Sequence, residues 1–339
     1  MSNWYLQSGK ESDVVISTRI RFARNLRDFP FINRAKKEDL EELENRIKDI
    51  TPSLGYGLKF LKLKDIDDIT KMSLVEKHII SPNFALKEET SGAMLINDEE
   101  NISVMINEED HLRIQVLGEG LDIDNLMNLA IEIDETLEKN LNYAYSEKYG
   151  YLTACPTNVG TGLRTSVMVH LPALTKTGNI QKILEVISNF GMNIRGVYGE
   201  GTSAYGNMYQ VSNKQALGID EKEIIKNLKQ IVEKIIEQER LARKILAKES
   251  IELEDEICRA YGILTNCKKI SSEEAINLLS SVKLGVDMGI IKELDDLKVN
   301  KLELYTKPAN LQKYLGEKID AYKRDIKRAE IIKQIIGEK

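Results

Sequence analysis

The stretch from Gly150 to Ser166, GYLTACPTNVGTGLRTS, brings a thiol, a proline, glycines, turn-forming hydroxyls and amides, and an arginine into one short loop. Cys155 becomes a reactive thiolate if cations lie beside it. Arg164 can pair with a phosphate bidentately. Gly160 and Gly162 would let backbone N–H groups approach a ligand closely. A Gly-rich turn between two strands would have the same composition. Three further stretches carry comparable chemistry. Residues 13–27, DVVISTRIRFARNLR, begin as an apolar strand and end in arginines. On a strand, Arg19 and Arg21 share a face, where two cations repel unless an anion lies between them. The alternative is a solvated edge strand. At Asn107-Glu108-Glu109-Asp110, three consecutive carboxylates precede a strand that contains Arg113. They form either a solvated turn or one wall of a cleft shared with that arginine. Finally, Arg195 enters a second Gly-rich loop, YGEGTSAYGN, at residues 198–207.

Arginines 19, 21, 113, 164 and 195 come from four stretches far apart in sequence, each near a strand or loop junction. Gathered around one cleft, they would hold a nucleoside triphosphate and stabilise charge during in-line phosphoryl transfer. The chain has neither the GxxxxGK[ST] loop nor the HRD and DFG sets of the two standard nucleotide frameworks.

These residues need a scaffold. Apolar spacing predicts helices over 36–49, 65–77, 122–143 and 179–190. Strands are predicted at 58–63, 93–97, 102–106, 112–117, 166–171, 192–197 and 207–213. His78 falls in a loop and by itself reads as a structural hydrogen-bonder. A long amphipathic helix covers 220–249, with Ile224, Leu228, Ile231, Ile235, Leu241 and Ile245 as its apolar stripe. Helices follow from Ser271, whose Glu274 completes a capping-box pattern, and over 309–315 and 318–336. The predicted fold is α+β, a mainly antiparallel sheet flanked by helices, followed by an all-helical C-terminal domain. The expected units are 1–244 and 245–339.

The chain has 339 residues, 42% hydrophobic and 30% charged, enough for a real core. A formal net charge of -6 argues against bulk capture by nucleic acid or an anionic membrane. Cys155, Cys258 and Cys267 are too scattered for a disulfide framework, and no His/Cys cluster has metal-ligand spacing. No signal peptide or membrane span is apparent, so a reduced cytoplasmic protein is expected.

STRIRFAR, NEEDHLRIQ, CPTNVGTGLR and the RG–GEGT–YGN loop stand in the order and character of the phosphagen (guanidino) kinases, which residues 13–245 resemble. The resemblance implies reversible transfer of the ATP γ-phosphoryl group to a guanidinium nitrogen, with magnesium carried by the nucleotide and no protein metal ligands. It implies nucleotide contacts from Ser17, Thr18, Arg19, Ile20 and Arg21, and from His78 and Arg113. It adds Arg164, Thr165, Ser166, Val167 and Met168, then Arg195, Gly196, Val197, Tyr198, Gly199 and Glu200. Glu109 matches the carboxylate that holds and deprotonates the acceptor guanidinium. Cys155 matches the thiolate against that acceptor, and Glu200 joins them as a catalytic candidate. Many members carry another carboxylate where this chain has Ser203, so Glu109 is expected to be the main base.

Only sixteen residues precede Ser17, and the additional helical material follows the catalytic motifs instead. This arrangement is similar to the bacterial protein-arginine kinases of the McsB type, whose acceptor is presented on a protein surface. That resemblance implies substrates with exposed arginines, inactivation of a heat-shock repressor, marking for a Clp-type AAA+ unfoldase, a zinc-finger activator protein and a homodimer. It also implies that Arg324, Asp325, Arg328 and Ala329, the RDxxRA sequence, bind phosphoarginine. From spacing alone they form an exposed salt-bridged helix face. A small-guanidino-metabolite kinase and a non-catalytic phosphoarginine-binding adaptor are the alternative functions.

Overall fold

The computed structural model describes residues 3–87, 92–197, 204–248 and 250–338. An eight-stranded antiparallel sheet organises the first part of the chain. In chain order its strands are β1 (Val15–Arg24), β2 (Lys59–Lys62), β3 (Ala93–Ile96), β4 (Ile102–Ile106) and β5 (Leu112–Glu119), then β8 (Leu163–His170), β9 (Met192–Gly196) and β10 (Met208–Asn213). A separate short hairpin pairs β6 (Tyr145–Ser146) with β7 (Gly150–Tyr151). The spatial order is β2-β3-β4-β5-β1-β8-β10-β9, so β1 is an interior strand and the edge-strand alternative fails.

Helices α1 (Lys37–Ile50), α2 (Asp68–Glu76), α3 (Pro82–Ala85), α4 (Ile123–Glu138), α5 (Pro172–Lys176), α6 (Ile180–Asn189) and α7 (Glu221–Leu246) surround the sheet. The helices beyond are α8 (Ser250–Asn266), α9 (Ser272–Asp287), α10 (Asp296–Tyr305), α11 (Pro308–Leu315) and α12 (Ala321–Gly337). Sequence spacing had resolved neither α8 nor α10 as a separate helix. Strand β8 starts earlier than expected because Leu163, Arg164 and Thr165 already pair with β1, and on the other side the Asn213 side chain stands in for a ladder partner. It accepts from the Thr165 N–H and donates to the Leu163 carbonyl. Ser271 caps α9 as expected, its hydroxyl accepting the Glu274 N–H. The apolar stripe of α7 is only partly buried: Leu241 and Ile245 are about half exposed.

Period two divides the sheet chemically. On β1, Thr18, Ile20, Phe22 and Arg24 turn inward, while Ser17, Arg19 and Arg21 turn the other way. The inward face packs on α4 and α7 in one large apolar core that runs as far as Ala242. A second core begins at Leu253 and is confined to the helical part. The two parts still touch closely. Glu76, at the end of α2, accepts the Ala309 and Asn310 N–H groups at 2.8 Å each and so caps α11. Among the described residues no helix is long and apolar enough to cross a membrane.

Arg24 belongs to the core and does not share the face of Arg19 and Arg21. Its buried guanidinium meets Asp134 of α4 at 2.6 Å and lies 3.6 Å from the centre of the Tyr151 ring. Removing one partner strands the other charge in a place water cannot reach. Asp134→Ala is expected to cost about 3–5 kcal/mol, read as a lower urea midpoint at constant slope. An unchanged midpoint would show that Arg24 finds another acceptor.

Candidate active site

Strand register builds the site. Arg21 pairs across β1 with Arg164 of β8 and with Gln115 of β5, and Arg19 pairs with Ser166. Met168 pairs with Gln210 of β10, which pairs in turn with Arg195 of β9. Directly paired residues share a face, so Ser17, Arg19, Arg21, Arg113, Arg164, Ser166, Met168 and Arg195 line one side of the sheet. The five expected arginines therefore converge.

Their electrostatics favour an anion. Arg19 and Arg21 are desolvated, and each feels the positive charges of Arg113, Arg164 and Arg195. Burial and this crowding push Arg19 down to about 10 and Arg21 well below the ordinary arginine value. The buried Arg21 Nε has no hydrogen-bond acceptor among the described residues. Arg19 is steadied by Ser166 Oγ at 3.3 Å and Gln210 Oε1 at 3.1 Å. Gln210 escaped the sequence reading, because nothing in its own strand marks it as an arginine partner. Arg113 is held by Glu108 at 2.7 Å and lies 3.8 Å from Glu109.

At the other end of the stripe, Glu109 and Cys155 are brought together by neighbours that carry no motif. Asp110 Oδ1 accepts the Ala154 N–H and the Asn25 side-chain amide, both at 2.6 Å. Asn25 also donates to the Leu152 carbonyl and accepts the His111 N–H. This network ties the end of β1, the acidic turn and the cysteine loop together, one residue away from Glu109 on one side and from Cys155 on the other. Cys155 Sγ lies 3.1 Å from Thr157 Oγ1. Burial raises the Glu109 pKa, reinforced by Asp110 and Glu108 and opposed by Arg113 and Arg164. Arg164 feels both Cys155 and Glu109. The arrangement has anion-binding cations at one end and a proton-accepting carboxylate at the other.

Several expectations need correction. Gly160 and Gly162 are not a phosphate cradle. Gly160 exchanges backbone hydrogen bonds with Tyr151, and a Cβ there would strike the Ala216 carbonyl. Gly162, at φ +67°, leaves room for the Arg24 guanidinium and the Ala23 carbonyl. Both glycines serve close packing of the turn. Thr18, Ile20, Thr165 and Val167 are fully buried on the opposite face and cannot offer side chains to a nucleotide. They fell within the expected windows because the sequence motifs are contiguous while a strand alternates. Gly196 ends β9, and the Val197 N–H donates to the Met208 carbonyl. Tyr198, Gly199, Glu200 and Ser203 lie outside the described residues. His78 stands beside the stripe at φ 62°, its carbonyl accepting from Gln115. Burial, then Lys307 and Arg19, holds its pKa well below the ordinary histidine value.

The RDxxRA residues lie apart on α12. Arg324 is half-buried and donates to the Ile319 carbonyl. Arg328 is buried, donating to the carbonyls of Thr306 and Ile270 and to Asp325. It is thus an internal brace, and the exposed-helix alternative fails for it. Ala329 is fully buried.

Residues 42–242 match the family model of the ATP:guanido phosphotransferase C-terminal catalytic domain, and residues 250–339 match that of the protein-arginine kinase McsB C-terminal domain. A protein-arginine kinase of Halothermothrix orenii is 52% identical, with 98% of this chain and 96% of that one aligned. One from Brevibacillus brevis is 45% identical over 98% and 94% of the two chains. Among solved structures, the duplicated taurocyamine kinase of Schistosoma mansoni with bound transition state analog components superposes with a TM-score of 0.60. It is 30% identical and covers 67% of this chain and 33% of its own. A lombricine kinase superposes with a TM-score of 0.60 at 26% identity, covering 69% of this chain and 68% of its own. With the arginine stripe and the carboxylate end in place, these likenesses identify the reaction class, and the chain belongs to the protein-arginine kinase family of ATP:guanido phosphotransferases.

Proposed function

We propose that the arginine stripe binds the phosphates of ATP and that the γ-phosphoryl group passes to an arginine side chain on a protein. The observation that carries this reading is the convergence of five guanidinium groups on one sheet face, ending at Glu109 and Cys155. Glu109 orients the acceptor guanidinium and takes its proton as the N–P bond forms and the bond to the ADP oxygen breaks. Cys155 lies against the acceptor, and the arginines stabilise the transferring group. Magnesium, when bound, neutralises phosphate charge.

The protein acceptor is supported by the relatives' names and by the match of the C-terminal region to the protein-arginine kinase module. The wider role rests on resemblance alone: a cytoplasmic stress-response enzyme that marks proteins for a Clp-type unfoldase and inactivates a heat-shock repressor. A zinc-finger activator, a homodimer and allosteric phosphoarginine binding at Arg324 and Asp325, with the buried Arg328 bracing Asp325, belong to the same proposal.

Incubation with ATP and either casein or free arginine tests the acceptor, with acid-labile phosphate as the readout. Label is expected on casein. Label on free arginine alone would make this a small-guanidino-metabolite kinase, and no label on either would leave a phosphoarginine-binding adaptor.

A further inference from the structure

Beyond the phosphate stripe, the sheet runs into a half-open cavity of about 110 Å³, far more than the roughly 10–15 Å³ one water needs. Ser17, Met168 and Met208 supply its sheet side; Ile276, Leu279 and Glu303 of α9 and α10 supply the other. Register fixes its position. Ser17 lies two residues from Arg19 on the same face of β1, about 7 Å further along the strand. Met168 pairs with Gln210, and Met208 lies one step beyond, opposite His170. A nucleotide whose phosphates lie on Arg19 and Arg21 therefore points its sugar and base into this cavity. Its lining suits them: methionine and aliphatic surfaces for a planar ring, interspersed with polar groups such as Ser17, His78 and Asn300.

We propose that α9 and α10 of the helical module form the outer wall of the nucleoside pocket, with the Glu303 carboxylate accepting a hydrogen bond from a nucleoside N–H or O–H. The proposal rests on the reading of the arginine stripe as the triphosphate site. Among the described residues nothing hydrogen-bonds or ion-pairs with the Glu303 carboxylate, although Lys283 and Lys307 act on it electrostatically. The carboxylate is half-buried in the cavity wall, where a ligand N–H or O–H would find a free acceptor. The wall itself is well seated. The Gly206 N–H donates to Asn277 Oδ1 at 3.0 Å, and a Cβ on Gly206 would come within 2.7 Å of the Ile276 side chain. The Asn207 amide and His170 Nε2 both meet Ser280 Oγ at 2.8 Å. The helical module thus closes the end of the site that the sheet leaves open, and Glu303 is a nucleotide-specificity residue.

Inorganic tripolyphosphate separates the two ends of the site, because it can occupy the arginine stripe without a nucleoside. In the full chain, Glu303→Ala should raise KM for ATP about tenfold or more, with kcat at saturating ATP retained. Glu303→Gln keeps an acceptor oxygen and should lie between the variant and wild type. The inhibition constant of tripolyphosphate should not change in either. An unchanged KM for ATP overturns the proposal, and so does an equal loss of ATP and tripolyphosphate binding, which would make Glu303 structural. If Arg19→Ala binds tripolyphosphate as well as wild type does, the phosphate reading itself fails, whatever Glu303 does.

Discussion

Glu109→Gln should lower kcat for protein-arginine phosphorylation by about 10²- to 10⁴-fold and leave KM for ATP nearly unchanged. Glutamine keeps the shape and one acceptor oxygen, so an acceptor guanidinium can still be oriented. It cannot take a proton. A guanidinium is protonated at any working pH and has no lone pair for attack until that proton leaves. Glu109 suits the task because burial, aided by Asp110 and Glu108, raises its pKa and strengthens it as a base. The same shift fixes the pH dependence. The base works ionised, so activity falls as pH falls through the raised pKa. The variant should lose that acid limb along with the rate. Single-turnover rates across pH, at saturating ATP, provide the check. A Glu109→Gln protein with the wild-type rate and acid limb would move the base elsewhere.

Arg21→Ala should lower kcat/KM for ATP by about 10²- to 10³-fold and, in contrast to most core substitutions, should not lower the melting temperature of the nucleotide-free protein. Arg21 lies at the centre of the stripe, across from Arg164, desolvated and surrounded by like charge. Its Nε has no acceptor among the described residues. In the fold this residue costs free energy, and only a bound anion recovers it. The wild-type protein should therefore melt higher with ATP present, since a ligand that binds the native state alone stabilises it. That ligand-induced rise should shrink in the variant. Arg21→Lys should restore little, because an ammonium cannot present the planar paired donors of a guanidinium. Melting scans with and without ATP decide the matter: if the nucleotide-free variant melts well below wild type, Arg21 is part of the scaffold.

The functional residues were legible where one motif carried them. Arg19 and Arg21 share a face because a strand alternates, and that needs no partner to see. Period two also marks the core side of β1, so alternation alone turns the Thr18 and Ile20 side chains away from the face of Arg19 and Arg21. Gly160 and Gly162 misled, because glycine composition is the same whether the open space serves a ligand or a packed neighbour. Only the position of Ala216 and Arg24 distinguishes the two. Asn25, Asp110 and Gln210 were invisible as site residues for another reason. Each acts on a group from a distant stretch, as Asp110 does on Ala154, and single-residue chemistry does not reveal such pairs. From its spacing with Arg324, Arg328 reads as part of an exposed helix face. Its burial against Thr306 and Ile270 comes from how α12 seats in the helical part, which local spacing does not encode.

Glu76 has a consequence for heredity as well as for packing. Two separate family models meet near residues 242–250, as though a catalytic module and a helical one had been joined end to end. Yet Glu76 belongs to the first, two residues before His78, and its carboxylate caps a helix of the second. Dividing the chain at the seam between the models would leave that carboxylate without its donors and open the methionine-lined end of the sheet to water. What can be inherited as two pieces is, in this molecule, finished only as one.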